Sequence, residues 1–139
     1  MNIITRRLEF DAGHRVLGHE GKCKHLHGHR YRVEVSVSAP DGLDNLGRVI
    51  DFGIIKTRLG GWIDEHLDHN MLLHEADPLV PLGASMVGRA PFIMPRGNPT
   101  AENIAELLCN IAVSLMPELK VHRLRVYETP NCWADFKCQ

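Results

Sequence analysis

The chain has 139 residues, of which 44% are hydrophobic and 24% charged, and its formal net charge is -1. That size and balance predict one domain, spanning 1–139, with enough apolar side chains for a real core. They exclude a broad electrostatic pull toward nucleic acid or an anionic membrane, and no apolar run approaches the ~18 residues of a transmembrane helix.

The opening MNIITRRLEF has no apolar signal core, so no secretory leader and a cytoplasmic location are expected. Cys23, Cys109, Cys132 and Cys138 form no C-x-x-C pair and no secreted framework, which also favours a reducing compartment. Ile3 to His14 then reads as a strand, with Ile4, Leu8 and Phe10 in partial alternation. Arg15 to Lys24 is rich in glycine and charge and reads as a loop carrying Cys23. The cleanest strand follows, where Tyr31, Val33, Val35 and Val37 alternate with Arg32, Glu34, Ser36 and Ser38. The valines require a core; the polar side requires water or a wet interior.

Pro40, Asp41 and Gly42 make a turn, and a short strand is expected over Arg48–Asp51. From Phe52 to about Leu67 the residues Ile55, Leu59, Trp62, Ile63 and Leu67 recur at helical spacing, although Gly60 and Gly61 weaken that helix. Asp77 to Pro99 holds five prolines and reads as a loop, a lid or a spacer. A second helix begins near Thr100, capped by Asn98 or Thr100, and Pro117 ends it. Its apolar stripe is Ile104, Leu107, Leu108, Ile111 and Leu115. Val121 to Glu128 is the last long strand. This order predicts an α+β layer: a four-stranded antiparallel sheet with two helices on one face, whose open edges oligomerisation would close.

The most informative residues lie early, in FDAGHRVLGHEGKCKHLHGHRYRVEV. His27 and His29 share a strand face, Gly28 leaves the opposite side uncrowded, and His14 comes from the end of the earlier strand. Neutral imidazoles suit zinc, and three nitrogens leave the fourth tetrahedral position for water or substrate. H-x-H alone is weak, because it occurs in cupins, metallo-β-lactamases and amidohydrolases. Here no Asp-His pair follows it, the chain is too short for a barrel of roughly 250 residues, and the helix near Thr100 argues against a cupin. His25 is a rival ligand by strand parity, while His19, His66, His74 and His122 read as surface or packing residues.

A cysteine is more often an inert thiol than a reagent. Cys23, however, stands between Lys22 and Lys24, and nearby positive charge makes a thiolate available as base or nucleophile. Asp68-His69 follows the first helix; adjacent side chains are not expected to bond each other, so each should orient a different partner. Glu128 shares strand parity with Leu124 and Val126, so a carboxylate continues an apolar face. Such a group needs a cationic or multiply donating partner, which a ligand could supply. The bland alternative is an ion pair with Arg123 or Arg125, although those belong to the opposite face.

Taken in order, FDAGH, KCKHLHGH, RVIDF, LDHNML, NPTAENIA and YETPNCWADF resemble the 6-pyruvoyl-tetrahydropterin synthase family over nearly the whole chain. The resemblance implies the tunnelling fold, in which sheets of a homo-oligomer, a hexamer or a tetramer, join into a barrel. It implies zinc on His14, His27 and His29, Cys23 as proton acceptor, Asp68 and His69 as a relay pair, and Glu128 gripping the pterin. A 2-amino-4-oxo pterin edge offers adjacent N–H donors to a carboxylate. Thr100 lies in the motif that lines the pterin pocket, and Lys22, Lys24 and Arg15 are candidates for the triphosphate.

The implied activity is that of the carboxy branch, which serves 7-deazaguanine (queuosine) biosynthesis. This is a zinc-dependent lyase that converts 7,8-dihydroneopterin triphosphate to 6-carboxy-5,6,7,8-tetrahydropterin, releasing triphosphate and acetaldehyde. The alternatives are the pyruvoyl product from the same residues, or a zinc- or pterin-binding module without catalysis. A related branch uses glutamate in place of the cysteine; Cys23 argues against it, with Glu20 nearby.

Overall fold

The computed structural model describes residues 1–138. Two long strands, β1 (Ile4–His14) and β2 (His27–Ser38), pair antiparallel in unbroken register from Ile4 opposite Val37 to His14 opposite His27. Their alternation works as the sequence predicts. Tyr31, Val33, Val35 and Val37 are wholly buried, and Leu8, Phe10 and Ala12 lie beside them on the same face. Each fully buried aliphatic side chain contributes about 1.5–3 kcal/mol. The other face carries a ladder of ion pairs, Asp11–Arg30, Glu9–Arg32 and Arg7–Glu34.

The sheet has six strands rather than the expected four, and it is mixed rather than antiparallel. Its order is β4-β3-β1-β2-β5-β6, where β3 (Asn70–Leu73) runs parallel to β1 and β4 (Phe92–Ile93) parallel to β3. β5 (Lys120–Thr129) and β6 (Cys132–Lys137) complete it as an antiparallel pair beside β2. β3 is four residues long and buried throughout, so it has no alternation to announce it. The short strand expected over Arg48–Asp51 does not form. Asp44 takes that segment's hydrogen bonds instead, accepting from the backbone N–H of Leu46 and Arg48, while Asp51 accepts from Gly53 and starts a helix.

That helix is one continuous element in three parts: α1 (Phe52–Ile55), a π-helical stretch (Lys56–Gly60) and α2 (Gly61–His66). It buries Ile55, Leu59, Ile63 and Leu67 against the sheet. Gly60 packs against Leu8 of β1, where a Cβ would stand 3.4 Å from Leu8 Cδ2. The 77–99 segment contains a 3₁₀ turn (Val80–Leu82) and α3 (Gly83–Val87) besides β4. α4 (Ala101–Leu115) starts where the sequence predicts, with Thr100 Oγ1 accepting from the Asn103 N–H, and it buries Ile104, Leu107 and Leu108 on the same face as the first helix. Cys109 of α4 and Cys138 are joined by a disulfide, a pairing that the sequence spacing did not suggest; Cys23 and Cys132 are free.

Candidate active site

Strand pairing assembles the histidines without help from any loop. His14 stands opposite His27, and Ala12 stands opposite His29, so His14, His27 and His29 share the core-facing side at one end of β1 and β2. Their ring centroids are 4.6, 5.0 and 4.9 Å apart, and one nitrogen from each lies within 4.8 Å of the others. His14 is buried; the other two are half-buried.

Two carbonyls fix how these rings are turned. His14 Nδ1 donates to Pro99 O at 2.7 Å, and His27 Nδ1 donates to His25 O at 2.7 Å. Each ring then presents an Nε2 lone pair, and those two Nε2 atoms face each other at 3.0 Å. Opposed lone pairs at that distance call for a cation between them. His29 Nε2 is buried and has no hydrogen-bond partner among the described residues. Burial, opposed by the Pro99 bond and reinforced by His27 and His29, lowers the His14 pKa to about 4, and burial lowers that of His29. All of this fits a divalent cation such as zinc, held by three neutral imidazoles with one position left for a ligand. His25, the rival, contributes its backbone carbonyl and not its ring.

Glu128 approaches the same spot. The β5–β6 register shifts between Tyr127 and Thr129, and Glu128 is the extra residue at that bulge. Its Oε1 lies 3.7 Å from His14 Nε2, and its side chain is 29% exposed. The arginines that could have neutralised it are engaged elsewhere, Arg123 with Glu34 and Arg125 with Asp135. Cys23 sits in a 3₁₀ turn (Lys22–Lys24), half-buried, its carbonyl accepting from the Val16 N–H at 2.8 Å. Burial first, then the Glu128 carboxylate and the Cys23 thiol, push the Tyr31 phenol well above its usual value.

The ends of the long 77–99 segment brace this region. Arg15 holds the buried Asp77 through two hydrogen bonds, and Asn98 exchanges a reciprocal pair with the backbone of Leu17. Arg15 engages Asp77 through Nε and one terminal nitrogen, while Lys22 and Lys24 are exposed. Thr100 is used as the α4 cap and reaches the site through its neighbour Pro99.

Asp68 and His69 bond each other, against expectation: His69 Nδ1 lies 2.8 Å from Asp68 Oδ2. His69 adopts φ +54, a left-handed conformation that turns its ring back onto the preceding residue. Asp68 also accepts from the Asp11 N–H, and the His69 N–H donates to Asp11 O at 2.6 Å. The pair thus lies beside Asp11, Gly13, Gly28 and Arg30, on the face away from the core, with the His69 ring 77% exposed. Within one chain the imidazole trio and the Asp68–His69 pair occupy opposite faces of the sheet. Sequence reasoning missed the Pro99 and His25 carbonyls, which no side-chain pattern reveals, and passed over Tyr31, whose place in the valine alternation marked it as core.

Known proteins resemble this chain over most of its length. The chain is 45% identical over 135 residues to the 6-carboxy-5,6,7,8-tetrahydropterin synthase of Rickettsia bellii, and 46% identical over 140 residues to that of Rickettsia felis. Each alignment covers 94% of this chain and 96% of the relative. Among solved structures, an uncharacterized protein from Wolinella succinogenes matches with a TM-score of 0.82 at 24% identity, over 99% of this chain and 98% of that one. The 6-pyruvoyl tetrahydropterin synthase of Plasmodium vivax matches with a TM-score of 0.70 at 18% identity, over 98% of each chain, which shows the shared fold. The family model for 6-pyruvoyl tetrahydropterin synthase matches residues 3–139, and the chain belongs to that family.

Proposed function

We propose that this chain is a zinc-dependent lyase, a 6-carboxy-5,6,7,8-tetrahydropterin synthase acting on 7,8-dihydroneopterin triphosphate as one unit spanning 1–139. The names of the relatives at 45% and 46% identity support the product. The observation that carries the chemistry is the convergence of three imidazoles, two of them turned by carbonyls, beside a carboxylate, with a free thiol on the turn that leads into His27.

His14, His27 and His29 would hold a zinc ion, which would supply Lewis acidity toward the side-chain hydroxyls of the substrate. The protein's own groups do the rest. Glu128 accepts the paired N–H donors of the pterin edge, which fixes the ring and points its side chain at His14. Cys23 accepts the proton that leaves the side-chain carbon, aided by the charge of Lys22 and Lys24. Asp68 orients the His69 ring for proton transfer.

Because His69 lies on the far face of its own sheet, a second copy must bring its relay pair to this thiol. The fold supports such assembly. β6 is an edge strand, and β1 is paired with β3 only over Ala12–His14, so its outer edge over residues 4–11 has no strand beside it among the described residues. Edge pairing of several copies, a hexamer or a tetramer, closes the sheets into a barrel with the ion-pair ladder facing its wet interior. No helix among the described residues is long and apolar enough to cross a membrane.

Incubating zinc-loaded protein with 7,8-dihydroneopterin triphosphate should release triphosphate and acetaldehyde together. Triphosphate without acetaldehyde would assign the pyruvoyl product instead, and neither would leave a binding module. Cys23→Ala should abolish turnover with zinc content intact; unchanged turnover would remove the thiol from the mechanism.

A further inference from the structure

The loop between β1 and β2, residues 15–26, leaves from His14 and returns into His27, so a candidate metal ligand stands at each of its ends. Within it, the Cys23 carbonyl accepts from the Val16 N–H at 2.8 Å. Among the described residues, Asp77 and Asn98 are the two that hydrogen-bond this loop from outside the hairpin, Asp77 at Arg15 and Asn98 at Leu17. The Asn98 amide takes both backbone groups of Leu17 at once. Its Oδ1 accepts from the Leu17 N–H at 2.8 Å, and its Nδ2 donates to the Leu17 carbonyl at 3.0 Å. A carboxylate would offer no donor there, and an alanine neither group. The carbonyl of Asn98 is held from the other side, accepting from the Thr100 N–H and from Asn103 Nδ2, both at 2.8 Å. Pro99 follows directly with its fixed φ, and its carbonyl is the one that turns His14.

We propose that Asn98 is a positioning residue that keys the Cys23 turn to the metal centre. Its side chain fixes Leu17, and the neighbouring Val16 carries that constraint to Cys23. Its backbone fixes Pro99, which carries the constraint to His14 Nδ1. Thiol loop and ligand ring thus share one anchor, and neither shifts without the other. This rests on the reading of the trio as a metal centre served by the Cys23 thiol.

Asn98→Ala and Asn98→Asp, each compared with wild type, test this by two readouts that need no turnover. Competition with a chromogenic chelator gives zinc affinity, which should fall by about tenfold, the lower end of what a lost partner of a ligating histidine costs. Iodoacetamide, followed at the Cys23 peptide by mass spectrometry in zinc-free protein, should react about tenfold faster as the turn loosens. The exposed Cys132 should keep its rate. Leu124→Ala, a core variant in β5, should leave zinc affinity and Cys23 reactivity at wild-type values. At saturating zinc, the Asn98 variants should lose about tenfold or more in kcat with KM changed by no more than about twofold. No shift, a shift in only one of the two turnover-free readouts, or the same shifts in Leu124→Ala would overturn the proposal alone. A raised KM with unchanged kcat would do the same, by placing Asn98 in substrate binding. Wild-type protein that takes up no zinc would overturn the metal reading and this proposal with it.

Discussion

The core-facing side of β2 runs from His27 to Val37 in one unbroken alternation, yet its two halves serve opposite ends. Val33, Val35 and Val37 meet Leu124, Val126 and the body of α4 in an apolar interior. His27, His29 and Tyr31 meet His14, Glu128 and the carbonyl that precedes α4. The same periodicity thus builds a core where a helix flank covers it and a site where only a helix start does. What distinguishes the halves is hydrogen-bond accounting. The valine half has no polar groups to satisfy. Among the described residues the histidine half keeps one orphan nitrogen, on His29, and one orphan hydroxyl, on Tyr31.

Three perturbations separate the halves. His27→Ala should have the largest effect. It removes a donor atom rather than an outer partner, so zinc affinity should fall by more than the ~100-fold that an outer-partner loss costs, and turnover should vanish with it. Zinc content after dialysis and activity measure both. At the other end, Leu124→Ala empties part of a fully buried site. It should destabilise the fold by about 2–5 kcal/mol in denaturant titration while zinc stoichiometry stays at wild-type level. Loss of zinc from that variant would show that the two halves are one cooperative unit.

The smallest effect concerns protons. In metal-free protein the His14 pKa is lowered from 6.5 to about 4, so the unfolded chain binds more protons between those values. Stability from this residue is therefore complete above pH 6.5 and is lost as pH falls toward and through 4. Melting temperature of chelator-treated protein should drop over that window, and His14→Phe should flatten the drop.

Much of this could be read in advance, for physical reasons that differ by residue. The β2 alternation, the Thr100 cap and the trio were legible because strand parity and helix capping are local rules that operate within a few residues. β3 and β6 were not. A short, fully buried strand shows no period, and an edge strand with a polar side resembles a tail. The Asp44 turn could not be told from a strand at Arg48–Asp51, since the competition is decided by one side chain reaching backbone N–H groups four residues away. Glu128 was found by parity, but its aim depends on a bulge that only pairing with β6 creates. The face on which Asp68–His69 lies depends on a left-handed backbone that histidine adopts rarely.

That left-handed residue has a consequence for how the protein tolerates change. A non-glycine backbone at φ +54 costs on the order of 1 kcal/mol, which glycine or asparagine at position 69 would relieve. Selection for thermal endurance alone would therefore drift toward those residues and discard the imidazole. The histidine at position 69 is therefore a residue that stability alone does not favour.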